Sequence, residues 1–497
     1  MQATLVYTFA YGSTILLLLC WRLSQFLTIR VRQRIISIFL KWFVYTVVSP
    51  RLNGSSDITV LSALLIIIIL TGNIFASTLA LEDQNDLASR LARLSSINMV
   101  FLYLGGRTNI IVDKVFRLSY TEYWLLHRWL GRIAAAEGIV HAAVKLANHR
   151  STPAALNLSL LALLSSIALL SVIFIRRKVY ELFLQTHHLF SVAILILVWL
   201  HVRQLNTFLL SCFTIAASLL LVQNILWVIF TFQGNYGRSI RHMSVTRFPR
   251  SGLHKPVIQV RLDIKKPWPV KPGKYIYLTL PRLRSLGLGI VESHPFMIAW
   301  AVENEQIRSR SIVLLVQVRG GFTQKLQFAN PLSPVIIGGP YGGNEADAMA
   351  NYDKILLMSS GIGVASHLDT ARYLLLAHDR QTARVRRLTM VWLLETQDDF
   401  QWAEELLCQL HDMDKRKILN IHTYYPDETD RPTGGLKSQS EAPRERIFPT
   451  PAPVDSQWVL QKEWRGEAGN MLVLGELSPP RGKTIANKSG SLRHSAF

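Results

Sequence analysis

The chain reads as a membrane α-helical bundle of about seven spans, followed by an antiparallel β-barrel and then by an α/β domain with a parallel sheet. Three observations predict this. Several stretches of about twenty apolar residues lack internal charge in a chain of 497 residues that is 49% hydrophobic and 18% charged. Two of those stretches each carry a pair of histidines fourteen residues apart. From about residue 240 the long apolar stretches give way to short alternating runs punctuated by proline and glycine, and then to alternating strand and helix patterns.

The spans fall at about 4–21, 58–81, 94–112, 120–146, 153–175, 181–203 and 207–232. The net charge of +21 is distributed as a topology signal rather than as a nucleic-acid footprint. Arg22, Arg30, Arg32, Arg34, Lys41 and Arg51 fill the first loop, Arg107, Lys114 and Arg117 the third, and Arg176, Arg177 and Lys178 the fifth. The second loop carries Glu82, Asp83 and Asp86 with Arg90, and the short sixth only Arg203. Positive loops stay in the cytosol, so the N-terminus is expected outside and the C-terminal half in the cytosol. No basic residue precedes the first apolar segment and many follow it, which fits a span better than the alternative of a cleaved signal peptide. Cys20, Cys212 and Cys408 are widely spaced and suggest neither a disulfide framework nor a thiolate metal site. The Asn-Gly-Ser at 53–55 and Asn-Leu-Ser at 157–159 fall in a cytosolic loop and a span, so neither reports on topology.

A helix turns about 100° and rises about 1.5 Å per residue, so a step of fourteen returns to within about 40° of its start, roughly 21 Å along the axis. His127 and His141 therefore share one face, as do His187 and His201. His188 is thirteen residues from His201, which turns it about 140° away and makes it the poorer partner. A lone histidine in a span commonly just bonds a helix neighbour. Two matching pairs instead suit two haems stacked through the bilayer, each iron taking one imidazole from each helix. His127 with His187 would lie near the inner face and His141 with His201 near the outer.

The barrel runs are Val257 to Leu262, Tyr275 to Leu280 and Ile312 to Val318. Within them Lys271-Pro-Gly-Lys274-Tyr275 opens a strand, His294-Pro295-Phe296 follows a loop, and Gly320-Gly321-Phe322-Thr323 precedes a short helix expected near Gln324. Backbone N–H groups and the Thr323 hydroxyl at a helix N-terminus make an anion site. Lys354 to Met358 then reads as a strand running into Ser359-Ser360-Gly361-Ile362-Gly363 and a helix from about Ala365 to Leu376. In such a unit the strand's carboxyl end and the helix N-terminus hold a dinucleotide phosphate. Gly339-Pro340-Tyr341-Gly342 lies between barrel and strand, and Thr389 to Leu393 with an acidic helix through Trp402 to Leu410 continues the α/β pattern.

In this order the soluble pieces resemble the flavin barrel of the ferredoxin reductase superfamily. With the histidine helices, the chain resembles ferric reductases and NADPH oxidases, most of all the fungal ferric (metallo)reductase family, over about residues 90–475. The segment from Tyr123 to Arg132 is similar to that family's first haem helix and that from Tyr180 to His187 to its second; even spacing of fourteen and a seventh span are similar to ferric reductases rather than oxidases. The resemblance implies N-terminal spans at 1–90, a haem-binding transmembrane domain at 91–235, an FAD-binding β-barrel at 236–345 and a Rossmann-like NADP-binding domain at 350–497. It implies two haem b groups on His127, His141, His187 and His201. FAD would lie on Lys274, Tyr275, His294, Pro295, Phe296, Gly320, Gly321, Phe322 and Thr323, and NADPH on Gly339, Pro340, Ser360, Gly361, Ile362 and Gly363. Electrons from cytosolic NADPH would pass through FAD, which converts a two-electron hydride into single electrons, and through both haems.

The implied acceptor is an extracytoplasmic ferric or cupric chelate, siderophores included, in iron and copper uptake at the plasma or vacuolar membrane. An iron permease or oxidase is the implied protein partner, membrane lipid the surroundings, and nucleic acid is excluded. Histidine on both sides of each iron leaves the acceptor to react at the haem edge, with no acid, base or nucleophile required. Two alternatives stay open: the same wiring delivering to dioxygen to make superoxide, and a catalytically weakened membrane haem protein. Lys145, Arg150 and Arg203 near the outer haem suit attraction of an anionic chelate, and more simply the anchoring of helix ends.

The chain departs from the family in three places. Met297 stands after His-Pro-Phe where Ser or Thr is usual, Ser359-Ser360 where Ala or Gly is common, and Asn470 to Leu474 is followed by Gly-Glu-Leu-Ser-Pro-Pro480 rather than a Cys-Gly-Pro turn. The last change bears on nicotinamide placement. A stretch rich in Pro, Ser, Gly and charge at about 427–455 is expected to be a disordered insertion, and the basic tail from Pro479 unfolded.

Overall fold

The computed structural model of the chain describes residues 58–105, 120–148, 155–203, 206–235, 240–248, 255–264, 270–284, 289–290, 292–304, 309–342, 346–425, 447–451, 456–465, 469–476 and 495–496, with single residues and short runs at 6, 11–14, 17, 38–39, 42–43, 46–49 and 112. It forms two compact units, Met1–Val228 and Ile229–Phe497. The first expected span, at 4–21, lies almost wholly outside the described residues.

The described helices of the first unit include α1 (Val60–Thr78), α2 (Gln84–Leu102), α3 (Tyr120–Asn148), α4 (Ala155–Leu170), α5 (Tyr180–Val202) and α6 (Thr207–Asn235), the last running into the second unit. Among the described residues, α1, α5 and α6 are long and apolar enough to cross a membrane. Thr59 caps α1 by accepting the Ser62 N–H at 3.2 Å. The other end of α1 is closed by Arg90, which donates to the Leu79 carbonyl and, at 2.9 Å, to that of Ala80 while pairing with Asp86 at 2.7 Å. The Arg90 charge expected in a loop is therefore a buried cap.

The third expected span is displaced: the helix runs from Gln84 to Leu102, not from 94 to 112. Asp83 fixes its start, accepting the Asp86 N–H at 2.7 Å. Its polar residues Arg90, Ser95, Ser96 and Asn98 are buried, so a hydropathy scan registers only its apolar second half. The fifth expected span, 153–175, ends sooner at Leu170 and is followed by a short helix, Ile173–Lys178. α2 packs along α3, and α4 packs against both α3 and α5.

In the second unit β1 (Ile240–Arg247), β2 (Val257–Ile264), β6 (Ser309–Gln317) and β5 (Trp300–Asn304) form one antiparallel sheet in that order. A second antiparallel sheet has the order β4 (His294–Met297), β3 (Tyr275–Thr279), β7 (Ile336–Tyr341). Hydrogen bonding thus divides the expected barrel into a four-stranded and a three-stranded sheet. One core joins them, in which Met243, Leu262, Ile276, Leu278, Leu314 and Phe322 are fully buried.

The α/β part follows with β8 (Lys354–Ser360), α8 (Ala365–Asp379), β9 (Arg387–Leu393), α9 (Glu404–Met413), β10 (Leu419–Tyr425), β11 (Ile447–Pro451), α10 (Ser456–Arg465) and β12 (Met471–Glu476). The parallel order is β11-β10-β9-β8-β12. Two short runs within the stretches expected to be disordered are described, the rest of both lying outside the described residues. Ile447–Pro451, inside the expected insertion, is a strand on β10 with no further strand beyond it among the described residues, a position that tolerates Pro449. Ser495–Ala496 of the expected unfolded tail pairs antiparallel with β12.

Candidate functional site

α3 carries His127 and His141, and α5 carries His187 and His201. The His127 and His187 ring centroids lie 6.2 Å apart. An iron shared by two imidazoles at about 2 Å from each nitrogen holds the ring centroids about 6 Å apart, so this pair fits a common iron. Trp124 and Phe183 flank it at 5.1 and 5.2 Å from the His127 and His187 rings. The Nδ1 atom of His187 is buried without a hydrogen-bond partner, whereas His188 next to it is exposed. At the other end, His141 Nδ1 lies 2.7 Å from the Ala88 carbonyl oxygen. A carbonyl only accepts, so Nδ1 carries the proton and Nε2 keeps the lone pair a metal needs. His201 has His141 as its electrostatic neighbour.

α2 orders this arrangement along its whole length. Beyond Ala88, Ser95 Oγ donates to the Ala134 carbonyl at 2.8 Å, and Asn98 Nδ2 donates to Glu137 at 3.0 Å and to Asn73 of α1 at 2.8 Å. The Tyr123 hydroxyl donates to the Leu102 carbonyl at 3.1 Å, accepts the Gly105 N–H at 2.8 Å and lies 3.4 Å from His127 Nδ1. None of these supports is legible in the sequence; a backbone carbonyl such as that of Ala88 leaves no side-chain signal. Lys145, a candidate chelate-attracting cation, donates to Asn85 at 3.3 Å, and Arg150 lies outside the described residues.

The flavin residues expected from sequence converge in the second unit. β3 and β4 pair Ile276 with Phe296, Tyr277 with Pro295 and Leu278 with His294. The His294 ring stacks on Phe322 at 4.3 Å, and Phe296 lies 6.2 Å from the same ring. The helix expected near Gln324 starts earlier, as α7 (Gly321–Leu326), and Thr323 sits in its first turn. The Thr323 hydroxyl accepts the Arg319 N–H at 2.9 Å and donates to the Gly320 carbonyl at 3.0 Å, so it shapes the turn. Gly320 has φ 136°, and a Cβ there would meet nothing within 4 Å, leaving its backbone open to a ligand. A cavity of about 730 Å³ beside it is lined by Arg282, Arg284, Gly321, Gln324, Lys325 and Phe328. Arg282 and Lys325, which sequence reasoning missed, bring positive charge to a place suited to a pyrophosphate.

Lys274 donates to the Gly342 carbonyl at 2.5 Å. Tyr275, Tyr277 and Tyr341 form a cluster with ring centroids 5.7 to 5.9 Å apart. The Tyr341 hydroxyl is buried without a hydrogen-bond partner, and burial pushes its pKa up to about 12, so it stays a neutral donor suited to a flavin acceptor atom. Gly339 and Pro340, expected with NADPH, lie on β7 beside Tyr275 and Tyr277. That register groups them with the flavin residues, in a different sheet from Gly361 and Gly363.

The parallel strands wind outward from β8 through β9, β10 and β11, and β12 returns to the other side of β8. The winding therefore reverses between β8 and β12, where open α/β sheets bind their ligands at the carboxyl ends of the strands. Ser360, Gly361, Ile362 and Gly363 stand at that end. Gly361 has φ 50° with nothing within 4 Å of a Cβ position, and Trp392 Nε1 pins its carbonyl at 2.8 Å. A dinucleotide phosphate fits this open turn. In β12, Gly475 opposes Met358 and Glu476 opposes Ser359. A Cβ at 475 would lie 3.0 Å from the Met358 Cβ and 3.1 Å from its carbonyl oxygen, so β12 is held tightly against β8.

Residues 91–198 match the family model of the ferric reductase like transmembrane component, residues 239–345 that of an FAD-binding domain and residues 352–448 that of the ferric reductase NAD binding domain. Ferric reductase transmembrane component 4 of Saccharomyces cerevisiae is 24% identical over 327 residues, which is 60% of this chain and 41% of that protein. Ferric/cupric reductase transmembrane component 7 of the same yeast is 25% identical over 342 residues, 64% of this chain and 51% of the relative. A superoxide-generating NADPH oxidase heavy chain of Dictyostelium discoideum is 25% identical over 284 residues, 53% and 50% of the two chains. The chain thus spans about half the length of these relatives. Three matches in this order, laid over a histidine-bearing helix pair, a flavin-type sheet pair and a dinucleotide turn, make these segments similar to the transmembrane, FAD-binding and NAD-binding modules of ferric reductases, with an NADPH oxidase among the relatives.

Proposed function

We propose that the chain is a membrane ferric- or cupric-chelate reductase that draws electrons from cytosolic NADPH and delivers them to an extracytoplasmic metal chelate in iron and copper uptake. The observation that carries this reading is the 6.2 Å approach of His127 and His187 in the same chain as a dinucleotide turn at a sheet switch point. In this reading His127 with His187 and His141 with His201 hold two haem b groups, which supply one-electron carriers through the bilayer. Lys274, Tyr275, His294 to Phe296 and Gly320 to Thr323, joined by Gly339 and Pro340, bind FAD, which supplies the two-to-one electron conversion. Ser360 to Gly363 hold the phosphates of NADPH.

Seven spans, an outside N-terminus and a cytosolic FAD/NADP module complete the topology, with the plasma membrane favoured over the vacuolar one. The working divisions are 1–90, 91–235, 236–345 and 350–497. Siderophore chelates are candidate substrates, and an iron permease or oxidase a candidate partner.

The relationship to the Dictyostelium oxidase favours a second reading, in which dioxygen is the acceptor. The Gly-Glu-Leu-Ser-Pro-Pro480 that follows Leu474, where a Cys-Gly-Pro turn is usual, favours a third, a weakened enzyme. Two measurements separate them. Cells expressing the chain should reduce an external ferric chelate with or without superoxide dismutase; activity abolished by dismutase identifies the oxidase. Purified protein under anaerobic conditions should show haem bands that NADPH reduces, whereas bands reduced only by dithionite identify the weakened form. Flavin-loaded protein without any Soret band would overturn the proposal.

A further inference from the structure

Asp369 sits on the second turn of α8, the helix that follows the Gly361–Gly363 turn, and is only 1% exposed. Its Oδ1 accepts from Arg372 Nε and Nη2, both at 2.8 Å, and from the Ala301 backbone N–H at 3.3 Å. Ala301 belongs to β5, which begins three residues after the His294–Met297 strand. The Arg372 guanidinium lies 5.7 Å from the ring centroid of Trp300, the other residue at the start of β5. Trp300 is 2% exposed and shares a core with Val364, Ala365 and Leu368, at the start of α8 and just before it. One buried ion pair therefore joins the strand continuing from the flavin-type segment to the helix carrying the dinucleotide turn.

A buried ion pair adds little stability that apolar packing would not match. What it adds is a fixed direction and distance, because both its charges need specific partners in a low dielectric. We propose that Asp369 and Arg372 are positioning residues that set how closely the nicotinamide approaches the flavin. The proposal rests on the NADPH-to-FAD transfer of the proposed function. In that step two electrons and a proton leave the nicotinamide of NADPH together and reach the flavin, giving NADP⁺ and reduced flavin, while Asp369 exchanges no proton. Such a transfer is sensitive to placement, a misplacement of about 1 Å costing on the order of 10²-fold.

The test is stopped-flow reduction of bound FAD by NADPH in the full-length, detergent-solubilised protein, with NADPH and with NADPH deuterated at the transferring position. Asp369→Asn keeps an acceptor for Ala301 but removes the charge facing Arg372. It should leave FAD content and NADPH affinity unchanged, lower the limiting rate about tenfold or more, and raise the deuterium isotope effect, as a longer transfer distance demands. Asp369→Glu should recover part of the rate. If Asp369→Asn fails to fold, Arg372→Gln should show the same slowing and the same rise in isotope effect. Wild-type rates and isotope effects in the folded variants, or a loss confined to NADPH affinity, would overturn the proposal and leave the proposed function standing. Wild-type protein whose flavin NADPH cannot reduce would overturn both.

Discussion

His141 and its neighbour Ala88 show how a backbone atom sets the chemistry of a side chain. The 2.7 Å contact to the Ala88 carbonyl fixes the proton on Nδ1 and aims the lone pair of Nε2. Replacing His127 or His187 with Ala should remove one haem signal from the reduced spectrum, and replacing His141 or His201 the other, at unchanged flavin content. Retention of both haems in any of these variants would exclude the ligand assignment. At Gly475 the constraint is steric. A methyl group there would stand 3.0 Å from the Met358 Cβ, so Gly475→Ala should cost about 1–3 kcal/mol of stability in the α/β part. A melting curve unchanged from wild type would show that β12 has room to shift.

The polar helix α2 behaves as a scaffold because its hydrogen bonds run across to α3 at intervals: Ala88 to His141, Ser95 to Ala134, Asn98 to Glu137, Leu102 to Tyr123. Asn98 also reaches Asn73, which ties α1 to the same assembly. Within a bilayer each such bond replaces one that no water would offer. Asn98→Leu strands Asn73 Oδ1 and the Glu137 carboxyl without this donor, and should lower stability by about 1–3 kcal/mol. Differential scanning of the detergent-solubilised variant checks this, with haem content as a second readout. An unchanged transition would mean that the amide at 98 carries no energetic weight.

Across the whole chain, the two units have separate cores, one centred on Ala134, Leu164, Ile194 and Phe213, the others on the strands and helices after residue 240. A defect in one therefore need not unfold the other. The His127→Ala and His187→Ala proteins should still reduce ferricyanide with NADPH, because that acceptor can take electrons from the flavin directly, while their transmembrane chelate reduction falls to background. Loss of both activities together would show that the units depend on each other for folding or electron entry. The basic loops that set the expected topology are largely outside the described residues, so glycosylation-site or protease mapping of the loops is the direct measure of orientation.

The amino-acid order alone is enough for the periodic and local features: the histidine pairs on α3 and α5, the β8-turn-α8 unit, and the strands at Val257, Tyr275 and Ile312. These are encoded within a few neighbouring residues, where helix and strand geometry dictate which side chains share a face. Three-dimensional packing settles the rest. Hydropathy places α2 ten residues late because its polar residues are satisfied by other helices, which no hydropathy scan can register. Ile447–Pro451 lies in a stretch whose Pro, Ser, Gly and charge content reads as disorder, whereas its pairing on β10 is a long-range contact that composition does not register. Gly339 and Pro340 join the flavin sheet through pairing with a strand some sixty residues earlier. Ala88, Arg282, Lys325 and the Asp369–Arg372 pair gain their roles only from what the fold brings beside them, since contacts between residues distant in sequence leave no local pattern to read.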